Sequence, residues 1–263
     1  LHKNIVNIVM PVIKTNKQYD SLVTFGCSFT GGHNLGDNGA WGHFFAKRLG
    51  CKHVIRSGGG SNTNICAHVI NYCENNDMTN KCIGIQWSEV TRRELWEENN
   101  SSYYTIGLGI LLEDSMWKRE SNREWLSPIK NNLGYFSSVW FDLRENIMRT
   151  VLAMIQAKAY LEYRNIDFIQ FEGINSIINR EKNHQEVRYD GEGHPSDLAL
   201  ISDNIRSRLF NDDTFFDKQG DLMKFMNEYP TFDPSINDGH PYNEILEDWT
   251  THMWNYLLTV QKT

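Results

Sequence analysis

Short apolar runs that stop at turns of small residues alternate along this chain with segments of helical period. The runs are SLVTF at 21–25, KHVIR at 52–56, KCIGIQW at 81–87 and IDFIQFEG at 166–173. Between the first two, AWGHFFAKRLG at 40–50 carries Trp41, Phe44, Phe45 and Leu49 at helical spacing, with Gly50 placed to end the helix. NTNICAHVINYC at 62–73 repeats the pattern with Ile65, Val69 and Ile70. The longest such segment covers 137–165 and ends at Asn165, shorter helices are expected around 196–209 and 221–228, and an amphipathic helix over 242–261 closes the chain. Parallel neighbours need a crossover, and a helix is the usual one, so the alternation predicts an α/β fold. Its sheet is mainly parallel, with helices on both faces.

No repeat or low-complexity linker divides the chain, and 1–263 reads as one domain. Two segments break the period: 97–135, expected to be an inserted cap or loop, and 176–236, polar and irregular. The opening residues, LHKNIVNIVMPVIKT, hold a short apolar stretch without a small-residue cleavage site, and read as an edge strand or arm rather than a signal peptide.

Charge and cysteine content exclude several classes. The net charge is −7, which argues against a nucleic-acid-binding surface. No apolar run approaches the ~20 residues needed to span a bilayer. The five cysteines, at 27, 51, 66, 73 and 82, are odd in number and form no C-x-x-C pair. A reduced, cytosolic protein is therefore expected, and a disulfide scaffold is not. Cys51 with His53, and Cys66 with His68, are close in sequence, but no second pair completes a zinc spacing. No metal or organic cofactor is expected, and the sequence sets no oligomeric state.

In open parallel sheets, sites form at the carboxyl ends of the strands. The turn after the first run is GCSFTGG, where Ser28 can project its hydroxyl from the sheet edge. An alcohol is a weak nucleophile and needs a base beside it, most often histidine. The alternative for Ser28 is a capping role. Cys27, its neighbour, is either a rival thiol nucleophile or a small buried hydrophobe. The second turn, SGGGSNTNI at 57–65, lets the backbone approach a ligand closely and aim N–H groups at it. It lacks the lysine pattern of a nucleotide-binding loop. In the third, QWSEVTRRE, Gln86 and Ser88 stand at the mouth of a strand, and Arg92 and Glu94 are expected to pair across the loop. Two blocks offer a base. NDGHP brings Asp238 and His240 to the start of the final helix, where Pro241 can hold His240 in one pose. DGEGHP brings Asp190 and His194 before another helical segment. His240 is preferred, because a strand-to-helix turn lies on the ligand side of the sheet.

Taken in order, these blocks resemble the SGNH/GDSL hydrolase family. The likeness rests on FGCSFT, GGGSN and NDGHP, and covers roughly 21–94 and 237–260. It implies a three-layer, flavodoxin-like fold, with Ser28 as nucleophile, His240 as base and Asp238 orienting it. Gly59 or Gly60 then serves the oxyanion hole, with Ser88, Gln86 or Asn62 as the further donor. The implied activity is cleavage of an ester, such as an O-acetyl or other acyl group on a carbohydrate. This chain departs from the family at three places: Cys27 stands where an acid precedes the serine, in the last block Asn237 sits three before His240, with Asp238 two before it, and IQWSE replaces the block that carries the oxyanion asparagine. Losing that donor costs a factor of about a hundred or more in rate unless another group replaces it. The W-S-x-x-x-R-x-E wording at 87–94 looks like a divergent branch found in phage and bacteria. The departures also support a second expectation, a catalytically decayed scaffold that binds a glycan or a protein partner, with tryptophan and tyrosine available to stack on sugar rings.

Overall fold

The computed structural model describes residues 11–32, 35, 37–56, 60–97, 102–106, 143–174, 203–210, 212–217, 221–235 and 240–262. Four strands form one parallel sheet: β1 (Ser21–Phe25), β2 (Lys52–Ile55), β3 (Lys81–Trp87) and β6 (Phe168–Glu172), in the order β2-β1-β3-β6. Ser21 stands opposite both Lys52 and Lys81, and Ile83 opposite Phe168, so all four strands start at one edge and deliver their carboxyl ends to the other.

Helices cover both faces, which is why the central strands read as near-continuous apolar runs. On one face Val23, Phe25, Ile83, Ile85 and Trp87 pack beneath α2 (Asn62–Asn75) and α3 (Leu143–Tyr163). On the other, Leu22, Cys82, Ile169 and Phe171 pack beneath α1 (Trp41–Leu49) and α6 (Asn243–Val260), which also touch each other. Side chains two apart share a face, so a small residue on one strand makes room for a large one opposite. Gly84 does this: a Cβ there would lie 2.6 Å from Trp41 Cη2. Helix ends follow their local chemistry. Gly50, at φ +68°, closes α1 in the left-handed region, and Asn165, at φ +52°, follows α3.

The outer edge of β6 does not stay bare. Phe168 N donates to Pro11 O at 2.7 Å, and Phe216 N donates to Gln170 O at 2.9 Å. The arm read at the start of the chain thus meets the sheet edge through residues 11–13, and residues 214–216 cover the next stretch. Two shorter helices, α4 (Asp203–Phe210) and α5 (Leu222–Asn227), flank this second segment in sequence.

One local expectation is corrected. The sequence reading places a loop through 88–94 and irregular chain from 97. Instead β4 (Arg93–Glu97) and β5 (Ser102–Ile106) form an antiparallel hairpin. Leu95 and Trp96 in RELWE, and the aromatic and β-branched residues of SYYTI, suit a pleated pair. The residues between the two strands in sequence, ENNS at 98–101, are polar, so the stretch read as loop. Most of the expected cap at 97–135 and of the segment at 176–236 lies outside the described residues.

Among the described residues no helix is long and apolar enough to cross a membrane, and no group of three or more metal-binding side chains converges. The five cysteines are unpaired, and all but Cys51 are buried. Burial pushes the thiols of Cys66 and Cys73 up to about 11 and holds that of Cys82 well above its ordinary value. The thiolate is the reactive form, so native protein at pH 8 should react with a disulfide reagent at Cys51 first. Burial raises the Cys51 thiol as well, but it alone of the five is partly exposed, so Cys66 and Cys73 should react at least about tenfold more slowly until denaturant exposes them. Timed labelling with peptide mapping checks this; equal rates at Cys51 and Cys73 would contradict it.

Candidate active site

Ser28 is presented by a turn whose neighbours are tied inward. β1 runs straight into Gly26, where any side chain would collide with Thr30 Oγ1 and come within 2.9 Å of Gln86 O. The backbone then folds over: Thr30 N and Gly31 N both donate to Cys27 O, at 3.0 and 3.2 Å. Thr30 is fully buried; its hydroxyl donates to Gln86 Oε1 at 2.6 Å and accepts from Trp41 Nε1 at 3.2 Å. Gln86 Nε2 donates to Cys27 Sγ at 3.4 Å. One buried amide on β3 thus holds the residues on both sides of Ser28, while Ser28 itself stays half-buried at the strand ends.

Across from it, His240 stands just before α6. Its Nε2 lies 2.9 Å from Ser28 Oγ, and its ring packs edge-on against Phe29 with centroids 5.1 Å apart. The chain here is anchored by Tyr242, whose hydroxyl donates to Asp233 O at 2.6 Å and accepts from Asp233 N at 3.1 Å. When the serine hydroxyl donates, Nε2 is the unprotonated nitrogen and Nδ1 carries the hydrogen. Asp238, expected at that nitrogen, lies outside the described residues, as do Gly59 and the rival pair Asp190 and His194.

The second and third turns are joined by a reciprocal clasp. Ser88 N donates to Asn62 Oδ1 at 2.7 Å, and Asn62 Nδ2 donates back to Ser88 O at 3.0 Å and to Thr150 Oγ1 at 3.1 Å. Both amide hydrogens of Asn62 are spent. Asn62 ties α2 to the turn after β3, and Gln86, with no exposed surface, braces the turn that carries Ser28. Ser88 differs from both. Its residue is 3% exposed, and its hydroxyl has no partner among the described residues. Gly60 is buried at the head of α2, where a Cβ would come within 2.7 Å of Asn64 Nδ2.

The third turn holds a second correction. Arg92 and Glu94 do not pair. Glu94 reaches back to α2, where its carboxylate accepts from the backbone N–H and the hydroxyl of Ser61. Ser61 caps that helix, so the carboxylate meets the positive end of the helix dipole. The sequence signal for such inward polar groups was a lone glutamine inside an apolar strand: Gln86 sits between Ile85 and Trp87, and a polar residue there must find partners.

A comparison of the sequence with models of known families finds no match, and a comparison with curated proteins finds none. The functional reading therefore rests on the residues and their geometry.

Proposed function

We propose that this protein is a serine-dependent ester hydrolase built on an SGNH-like, flavodoxin-type sheet. The observation that carries the reading is the 2.9 Å approach of Ser28 Oγ to His240 Nε2 at the carboxyl edge of a parallel sheet. In the proposed reaction the Ser28 hydroxyl proton passes to His240 Nε2 as Oγ bonds to the ester carbonyl carbon, whose oxygen takes the negative charge. The backbone N–H groups of Ser28 and of Gly59 or Gly60, with the unpartnered Ser88 hydroxyl, are the donors assigned to that oxyanion. The leaving alkoxide takes the proton from His240 and departs as an alcohol. Water then gives a proton to His240 and its oxygen to the acyl carbon, which frees a carboxylic acid and restores Ser28. Asp238 is assigned to His240 Nδ1, and the substrate class is a small or carbohydrate O-acyl ester.

Cys27 is less suited to attack: it is fully buried and its sulfur already accepts a hydrogen bond from Gln86. The commitment of Gln86 and Asn62 elsewhere favours one rival reading, a binding scaffold without turnover. A fluorophosphonate probe separates the two. Labelling of the wild type that disappears in Ser28→Ala but persists in Cys27→Ala supports the hydrolase; a wild type inert to the probe and to activated esters rejects it.

A further inference from the structure

Thr30 stands two residues after Ser28 and has no role in the proposed reaction, yet the turn is built around its side chain. Within 26–30 only Ser28 is half-buried; Gly26, Cys27, Phe29 and Thr30 are all buried. The Thr30 hydroxyl folds back under the turn, into the space that a side chain on Gly26 would need. Its hydrogen-bond roles are set by its neighbours. Trp41 Nε1 can only donate, so Thr30 Oγ1 accepts from it at 3.2 Å and gives its own hydrogen to Gln86 Oε1 at 2.6 Å. That bond fixes which end of the amide is oxygen, and Nε2 is the end that donates to Cys27 Sγ at 3.4 Å.

The chain reserves room for this relay. A Cβ on Gly173, just past β6, would fall on the Gln86 amide, and one on Gly26 would come within 3.0 Å of Gln86 Cβ. The relay starts on the first residue of α1, passes through the turn and ends on β3, so it ties the turn to two rigid elements at once. Trp41, Thr30 and Gln86 have no exposed surface, so bulk solvent does not stand in for a group that is removed. The backbone closes the turn from the other side. The N–H groups of Thr30 and Gly31 go to Cys27 O, and among the described residues no acceptor takes the Ser28 N–H, which stays available for an oxyanion.

We propose that Thr30 is a positioning residue for Ser28: through Gln86 it holds the turn so that Ser28 Oγ stays on line to His240 Nε2. The inference rests on the hydrolase reading. A displacement of about 1 Å at a reacting atom costs about a hundredfold in rate. Thr30→Val keeps the shape and removes the hydroxyl, which strands the Trp41 N–H and the Gln86 oxygen. Its kcat on an activated ester should fall by about ten- to a hundredfold with KM within about twofold of the wild type, and fluorophosphonate labelling of Ser28 should slow by the same factor. Thr30→Ser restores the hydroxyl and should recover most of that rate. Gln86→Met removes the acceptor at similar size and should repeat the loss; it decides should Thr30→Val fail to fold. A role confined to stability would lower Tm and leave the kcat of the folded variant unchanged. That result, or a Thr30→Ser variant as slow as Thr30→Val, overturns the proposal while the hydrolase reading stands; a wild type inert to both ester and probe overturns the two together.

Discussion

Replacing Ser28 or His240 by alanine is expected to lower turnover of an activated ester by a similar, very large factor, on the order of 10⁴ to 10⁶. The double variant should lose little more, because the two side chains act as one unit: without the imidazole the alcohol keeps its proton, and without the alcohol the imidazole has nothing to activate. Their 2.9 Å separation is what makes that coupling possible. Steady-state rates on wild type, both single variants and the double variant check this, with thermal melts to show that each remains folded. Independent, multiplying losses would refute a shared proton transfer.

The largest expected effect on stability lies elsewhere. Lys158→Ala should destabilise the fold by about 3–5 kcal/mol, a drop in Tm of roughly 6–20 °C. Lys158 is 7% exposed in the interior of α3, and its ammonium meets the Glu162 carboxylate one turn on and Asp212 Oδ2 at 2.5 Å. The other oxygen of Asp212 accepts from Thr214 N and Oγ1, at 2.6 and 2.5 Å. The lysine therefore pins to α3 the segment that covers the edge of β6. Its removal leaves a buried carboxylate unpaired, and that, rather than the worth of the pair, is the main loss. Asp212→Asn in the Lys158→Ala background should recover part of it, because the amide is neutral. Chemical denaturation of the wild type and the two variants tests the idea; a cost under about 1 kcal/mol for Lys158→Ala would mean the charge is well solvated after all.

The elements were legible to different degrees for physical reasons. Strand and helix positions around β1, α1, β2, α2 and β3 depend on hydrophobic period and end signals, both local, and the helix stops at Gly50 and Asn165 follow the same logic. The hairpin of β4 and β5 was opaque because its stability comes from cross-strand pairing, which a mixed polar and aromatic sequence does not advertise. The donors of the candidate site were legible only as residue types. Gln86, Asn62 and Ser88 are all polar residues at strand or helix ends, and nothing local separates an amide whose hydrogens are taken from a hydroxyl whose hydrogen is free.

By itself the sequence determined that strands alternate with helices, that the sheet is mainly parallel, and that small-residue turns stand at the strand ends. Those features follow from side-chain period and backbone preference over a few residues. Tertiary structure decided which groups meet. Ser28 and His240 are 212 positions apart, and Glu94 reaches Ser61 across 33. Such contacts depend on strand order and helix packing, because only the shared sheet edge brings these turns within the reach of a hydrogen bond.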